Sequence, residues 1–274
     1  MSLRTMLFVP GDRPDRFQAA AASGADAIVF DLEDAVTDAN KPTARTSVAR
    51  WLGDTPRAGD QLRLVRVNAR ASSWRADDDV LVHALVTDKQ IDGIVIPKCE
   101  QASDLHELPA TGYWPIIESA RGLVNVNDIA SASGVQQLIF GSIDLQLDLG
   151  MNADADETEL ASYRAQVVLA SRLAGLCGPA DGVTVAWTDD DAITRATQRA
   201  MRQGFATKLC IHPRQVPVVH DAMRPTDDEI ARARRIIEAA ESVSNGALAV
   251  DGMMVDRPVV NRARALMERA VTKP

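Results

Sequence analysis

Two short apolar runs end abruptly in carboxylates: Ile116-Ile117-Glu118, and Leu138-Ile139-Phe140-Gly141-Ser142-Ile143-Asp144. Each reads as a buried parallel strand whose C-terminal end opens into a loop. A helical run joins them, so the strands are expected to be sheet neighbours with Glu118 and Asp144 side by side at one rim. Adjacent acids repel unless a positive charge sits between them. A hard divalent cation supplies one: Mg²⁺ takes one or two protein carboxylates and leaves its other positions to water and substrate oxygens. The alternative is that each acid caps the helix that follows it.

The same placement recurs along the chain. Asp31, Glu33, Arg66, Asn68, Lys98 and His212 each follow an apolar run directly. The runs predict strands at Met6–Val9, Ala27–Phe30, Leu62–Val67, Gly93–Ile96, the two above, Gly182–Val185 and Thr207–Ile211. Helices are expected between them, from Asp12, over Pro42–Trp51, Asp77–Val86, Ala102–Leu108, Glu157–Ala174 and Asp190–Gln203. Eight strand–helix alternations in about 215 residues predict an α/β fold, a (β/α)8 TIM barrel, rather than an open sheet. Strand C-terminal ends converge on one face of such a barrel, and that face carries the chemistry. The barrel is expected over residues 1–223. Residues 224–274 form a C-terminal helical extension: a helix from Asp227 to Val243, a linker from Asn245 to Met254, and a helix from Pro258 to Ala270. It is expected to pack over the rim or over a neighbouring subunit.

Composition narrows the function. Hydrophobic residues make up 46% and aromatic residues 4%, so the core is mostly aliphatic. The net charge of −8 argues against a nucleic-acid or anionic-membrane surface. Cys99, Cys177 and Cys210 are far apart and form no CxxC pair, which argues against a disulfide framework or a zinc site. The opening MSLRTMLFVP has too short an apolar run for a signal peptide, and no run approaches the roughly 20 residues of a membrane span. A cytoplasmic location is expected.

The ordered motifs Leu7-Phe8-Val9-Pro10-Gly11-Asp12-Arg13-Pro14, Asp31-Leu32-Glu33-Asp34-Ala35-Val36, Val65-Arg66-Val67-Asn68, Ile96-Pro97-Lys98, Ile117-Glu118-Ser119-Ala120-Arg121-Gly122, Gly141-Ser142-Ile143-Asp144, Ile211-His212-Pro213 and Gly252-Met253-Met254-Val255-Asp256 resemble the citrate lyase beta-subunit-like branch of the HpcH/HpaI aldolase family. That branch includes malyl-CoA and citramalyl-CoA lyases. The resemblance runs from Leu7 to about Arg264. It implies a TIM barrel, usually trimeric, that uses Mg²⁺ (Mn²⁺ as a substitute) to make or break a carbon–carbon bond between a 2-oxo acid and the methyl carbon of an acetyl thioester. It implies Glu118 and Asp144 as metal ligands and Arg66 as the substrate-binding arginine. It further implies Asp256 as an acid/base group supplied by a neighbouring subunit. The implied partners are an acyl-CoA and a 2-oxo acid. Ile143 departs from the acidic residue that several of these lyases carry before the second metal ligand.

The remaining candidates have two readings each. Glu33 either steadies a water at the metal or caps a loop. Arg13 and Arg16, at a helix start, either hold coenzyme A phosphates, with Gly141 and Ser142 forming part of the binding surface, or are solvated. Lys98 is expected in an ion pair with a rim acid rather than as a Schiff-base lysine. His212 is expected as a turn former. Asp256 is also a good helix N-cap. The leading function is an acyl-CoA carbon–carbon lyase. The alternatives are the beta subunit of citrate lyase, acting on a citryl-acyl carrier protein, and a non-catalytic barrel that serves as a binding partner.

Overall fold

Eight parallel strands pair in sequence order and close into a barrel: β1 (Thr5–Pro10), β2 (Ala27–Asp31), β3 (Leu62–Arg66), β4 (Gly93–Ile96), β5 (Tyr113–Ile117), β6 (Ile139–Phe140), β7 (Ala180–Asp181) and β8 (Thr207–Cys210). The computed structural model describes residues 3–57, 59–105, 112–242 and 248–271. The helices that follow the strands are α1 (Pro14–Ala21), α2 (Lys41–Asp54), α3 (Arg75–Thr87), α4 (Ala120–Val124), α5 (Val126–Ser131), α6 (Ser142–Asp148), α7 (Ala161–Leu173), α8 (Asp190–Gln203) and α9 (Gln215–Met223). A 3-10 turn, Ala102–Asp104, follows β4; the later part of the helix expected there, with His106, lies outside the described residues. None of the described helices is long and apolar enough to cross a membrane. The chain divides into two compact units, Met1–Val219 and His220–Pro274, so the division falls inside α9.

Side-chain alternation builds both the core and the site. Met6, Ala27, Val29, Leu64, Val95, Trp114, Ile116, Ile139, Ala180 and Leu209, from all eight strands, pack together inside the barrel. Successive side chains of a strand point to opposite faces. Two residues beyond these inward positions come Asp31, Arg66, Glu118, Gly141, Gly182 and Ile211. The inward parity of the aliphatic core therefore continues into a polar layer at the C-terminal ends.

The seventh strand differs from expectation. It is Ala180–Asp181, not Gly182–Val185, and Ala180 pairs with both Ile139 and Thr207. Two residues, one of them charged, give no hydrophobic period, so the apolar Val183 and Val185 drew the assignment downstream. Asp181 takes the opposite parity to Ala180. Its register partner is Lys208, whose Nζ donates to it at 2.7 Å, and Arg164 from α7 donates to its other oxygen. Burial alone raises a carboxylate pKa, but Lys208 and Arg164 outweigh it and hold Asp181 below its ordinary 3.8. A depressed carboxylate contributes stability above its unfolded value that is lost as pH falls through the folded one. Asp181→Asn removes the carboxylate from buried Lys208 and leaves Arg164 with Glu157 alone, and is expected to cost about 3–5 kcal/mol. A melting curve should show a drop of roughly 6–20 °C; an unchanged midpoint would contradict the assignment.

The second unit continues with α10 (Asp227–Ser242), an antiparallel hairpin of β9 (Leu248–Val250) and β10 (Met253–Val255), and α11 (Arg257–Val271). Ala233, Ile236, Val255, Val260 and Ala263 form its core. The hairpin replaces much of the expected linker, of which Asn245 and Gly246 lie outside the described residues. Its turn is Asp251-Gly252, with φ of 51° and 75°. Two consecutive positive φ values are what a two-residue type I′ hairpin turn requires, and Asp-Gly is a preferred pair for it.

Candidate active site

Strand register brings the first charged pair together. Asp31 and Arg66 are Cα partners across β2 and β3. Arg66 grips Asp31 with two parallel bonds, Nε to Oδ1 at 2.7 Å and Nη2 to Oδ2 at 2.6 Å. Its Nη1 lies 3.0 Å from Glu33 Oε2, and its guanidinium carbon lies 5.1 Å from the centre of the Phe8 ring. Burial opposes the charge on Arg66, but Asp31, Glu33 and Glu118 hold it firmly protonated. The fork is thus fixed in plane and in charge.

Glu33 stands between two cations. Its Oε1 accepts from Lys98 Nζ at 2.8 Å while Oε2 faces Arg66, so the carboxylate bridges two cations. Burial raises its pKa against both partners. Lys98 has the ion pair expected of it. Partial burial works against its charge, but Glu33, Asp34 and Glu118 prevail and raise its pKa, which disfavours a neutral, nucleophilic amine. The left-handed backbone at Lys98 (φ 49°) interrupts the alternation of β4. Its amide then donates to Glu118 Oε1 at 2.6 Å.

Glu118 is the most perturbed carboxylate of the cavity. It is 5% exposed, and burial, with repulsion from Glu33 and Asp144, pushes its pKa up to about 8 against the Lys98 amide and Arg66. The capping reading fails for it: Ser119 caps α4, its Oγ accepting from Gly122 N at 3.1 Å. Ile117 pairs with Phe140, which sets Glu118 beside Gly141. A Cβ on Gly141 would lie 2.5 Å from Glu118 Oε2, so only glycine leaves room for that oxygen. Asp144 arrives differently from expectation. β6 stops at Phe140, and Asp144 stands in the first turn of α6 rather than at a strand end.

Asp31, Arg66, Glu118 and Asp144 share one cavity of about 360 Å³ at the strand C-terminal ends, whose lining does not include Glu33 or Lys98. Asp31, Asp34, Arg66, Glu118, Asp144 and Arg16 supply its charges, and Gly141, Ser142, Ile143, Phe8, Val183 and Ile211 are among its other walls. Arg13 is not part of the lining; it is exposed and held by Asp15 of its own turn at 2.8 Å. Asn68 is tied down by Asp78 and by the Leu32 carbonyl. Asp256 stands in the second unit, where its Oδ1 accepts from Val259 N at 3.2 Å and caps α11.

The donor set fits a hard divalent cation. Among the described residues no group of three or more His, Cys, Asp or Glu is placed to hold a metal, so Glu118 and Asp144 are a two-carboxylate set with room for substrate oxygens. The buried Glu118, with its Oε2 over the Gly141 backbone, has the uncompensated acidity that such a cation relieves. A raised carboxylate pKa means that the folded chain holds the proton more tightly than the unfolded one. Without a cation, stability therefore falls as pH rises from about 4.5 towards about 8. Proton and metal compete for the same oxygens, so Mg²⁺ affinity should climb with pH up to about 8 and then level. Titration calorimetry in buffers of different ionisation heat should record a proton released on binding near pH 7; pH-independent binding without release would contradict this.

A parallel barrel with acids, a fixed arginine and a cavity at its strand C-terminal ends is the architecture of a barrel enzyme. Comparison with known proteins gives the family. The HpcH/HpaI aldolase/citrate lyase profile matches residues 4–113 and 114–213, and a profile for C–C bond lyases of the TIM-barrel fold matches 181–272. The chain belongs to the HpcH/HpaI aldolase/citrate lyase family. It is 36% identical to a citrate lyase subunit beta-like protein of Mycobacterium tuberculosis, over 96% of this chain and 94% of the relative. It is 32% identical to a (3S)-malyl-CoA thioesterase of Cereibacter sphaeroides, over 97% and 94%. The crystal structure of CitE from Mycobacterium tuberculosis with magnesium, acetoacetate and coenzyme A superposes with a TM-score of 0.87 at 34% identity, over 98% of each chain.

Proposed function

We propose that this barrel is a Mg²⁺-dependent carbon–carbon lyase. It would cleave a 3-hydroxyacyl-CoA, such as malyl-, citramalyl- or citryl-CoA, into acetyl-CoA and a 2-oxo acid, or run the reverse condensation. The observation that carries this reading is the gathering of Glu118, Asp144 and Arg66 around one cavity, in a chain of this family. Glu118 and Asp144 hold the metal, with Mn²⁺ as a substitute. A cation held there would supply Lewis acidity to the carbonyl of the oxo acid.

The chain's own groups do the rest. Cleavage moves the electron pair of the breaking bond onto the thioester as an enolate, and the hydroxyl passes its proton, through water, to Asp256 as it becomes a carbonyl. Arg66 holds fixed positive charge where the oxyanion forms, and a preorganised donor needs no rearrangement there. Asp31 and Glu33 keep the guanidinium in that plane. Asp256 delivers the proton that converts the enolate into the methyl group. The direct test is a panel of 3-hydroxyacyl-CoA esters with Mg²⁺, followed for stoichiometric acetyl-CoA and oxo acid. No oxo acid from any ester would refute the reading. Release of free coenzyme A thiol without oxo acid would favour thioester hydrolysis, the activity named for the Cereibacter relative. Turnover only on a carrier-protein thioester would favour a citrate lyase beta subunit.

Asp256 has a clean test because asparagine is as good an N-cap as aspartate. Asp256→Asn should keep the melting temperature and Mg²⁺ affinity while kcat falls about 10²–10⁴-fold, the usual size of a lost acid/base group. The family resemblance has a neighbouring subunit of a homotrimer supply this residue. Mixing Asp256→Asn with Arg66→Lys chains after subunit exchange should then recover part of the activity; exchange without recovery would put Asp256 outside a shared site.

A further inference from the structure

We propose that the floor of the cavity selects a 2-oxo monocarboxylic acid with a short alkyl substituent and rejects one that carries a second carboxylate. This rests on the lyase reading and names the class of oxo acid that the same site takes. The floor is the top of the barrel core. Ile116 and Leu209 belong to that core and also line the cavity. Phe8 and Val183 line it too and pack against the same cluster. Ile143 and Ile211 are 50% and 41% exposed, so they stand nearer the mouth.

Charge in the lining is unfavourable to a second carboxylate. Asp31, Asp34, Glu118 and Asp144 stand against two guanidinium groups, Arg16 and Arg66. Arg66 is shared by Asp31 and Glu33, and Arg16 is exposed. A divalent cation at Glu118 and Asp144 brings this balance to neutral before any substrate enters. The carboxylate common to every 2-oxo acid then adds one negative charge. A second carboxylate on the floor would be buried among aliphatic side chains with no cation beside it, and an unpaired buried charge is costly to desolvate. Ser142 supplies a buried hydroxyl to the lining, but a hydroxyl is a neutral donor.

The connectivity of the substrate decides which group meets the floor. The carbon at which the bond breaks carries an oxygen, a carboxylate, the CH2 of the thioester arm and one variable group. The two oxygen-bearing substituents belong in the charged layer with Arg66, Glu118 and Asp144. The thioester arm is too long for a cavity of about 360 Å³ to enclose, so it leaves through the mouth. The variable group is left to face Ile116, Leu209, Phe8 and Val183. Each CH2 group buried there is worth roughly fourfold in affinity, so methyl and ethyl should both exceed hydrogen.

The test compares 2-oxobutyrate with oxaloacetate, whose chains match in length and differ in a terminal methyl against a carboxylate. Each acid, freshly dissolved, is titrated calorimetrically into the full-length protein with Mg²⁺. 2-Oxobutyrate should bind at least about 100-fold more tightly, the scale set by an uncompensated buried charge. Val183→Lys brings a cation to the floor and should shrink that ratio by roughly tenfold or more. Val183→Thr, close to valine in shape, replaces it if the lysine variant fails to fold, and should move the ratio in the same direction. In kinetics, kcat/KM for citramalyl-CoA should exceed that for citryl-CoA by a factor similar to the binding ratio. Equal or tighter binding of oxaloacetate, binding of neither acid, or a ratio that the folded variant leaves unmoved overturns the selection by the floor. Selective binding of 2-oxobutyrate without cleavage of any ester would leave that selection standing and remove the lyase reading. Cleavage of citryl-CoA as readily as citramalyl-CoA would do the reverse.

Discussion

Glu118→Gln and Asp144→Asn should each abolish turnover and weaken Mg²⁺ binding at least 100-fold, while the fold persists. Both substitutions keep size and hydrogen-bonding capacity and remove one negative charge. A two-carboxylate set has no third protein ligand to compensate, so a single loss halves its anionic charge. The variants differ in stability. Glu118 is buried and pushed towards the neutral form, so Gln resembles the state it prefers without metal. Glu118→Gln should therefore match or exceed the wild-type melting temperature in EDTA and lose the Mg²⁺-dependent increase. Ligand that binds only the folded state raises stability in proportion to the logarithm of its concentration over Kd. Thermal melts with and without Mg²⁺ separate this outcome from simple misfolding. Full activity in EDTA, or in either variant, would sink the metal assignment.

How much of this was legible in the sequence follows from the kind of signal each residue leaves. An apolar run with a polar residue at its end is a strong local signal, and it located Glu118, Arg66, Asp31 and Glu33. The pairings between them are not local. Asp31 and Arg66 meet because β2 and β3 align them in register, 35 positions apart. The parity of the core positions carried that information once the register was known. Parity also explains why Asp181 and Lys208, on the opposite face of β7 and β8, turn away from the cavity and into a buried ion network.

Three features left weaker traces. Asp144 looked like a strand end because Ile139 and Phe140 precede it, yet β6 is only two residues long and helix geometry begins at Ser142. The hairpin at Leu248–Val255 carried an Asp-Gly turn signal, but its strands of three residues are too short to show alternation. The stack of Trp187 on His212 joins two loops 25 positions apart and has no periodicity at all. Loop-to-loop contacts of this kind depend on where the barrel sets the loops, and only the closed sheet fixes that.

Arg66→Lys should lower kcat/KM about 100- to 1,000-fold with little change in melting temperature. The loss is argued from geometry. Arg66 uses Nε and Nη2 on Asp31 and Nη1 on Glu33, and these contacts set the plane in which its remaining N–H groups meet the substrate. Lysine keeps the charge but is a point donor on a flexible stem and cannot reproduce a fork. Removing one preorganised donor to a developing oxyanion costs about 2.7–4 kcal/mol in barrier height, which sets the expected factor. The fold survives because an ammonium still sits between two buried acids. Arg66→Met makes the contrast: Asp31 and Glu33 lose their common partner, and the cost should reach about 3–5 kcal/mol of stability. Asp31→Asn supplies the third arm. It leaves the guanidinium present but frees its plane, so kcat should fall by a smaller factor than in Arg66→Lys while Mg²⁺ affinity holds. If Arg66→Lys retains wild-type kcat/KM on every ester that the protein cleaves, the arginine is an element of the ion network alone and the oxyanion must be stabilised elsewhere in the cavity.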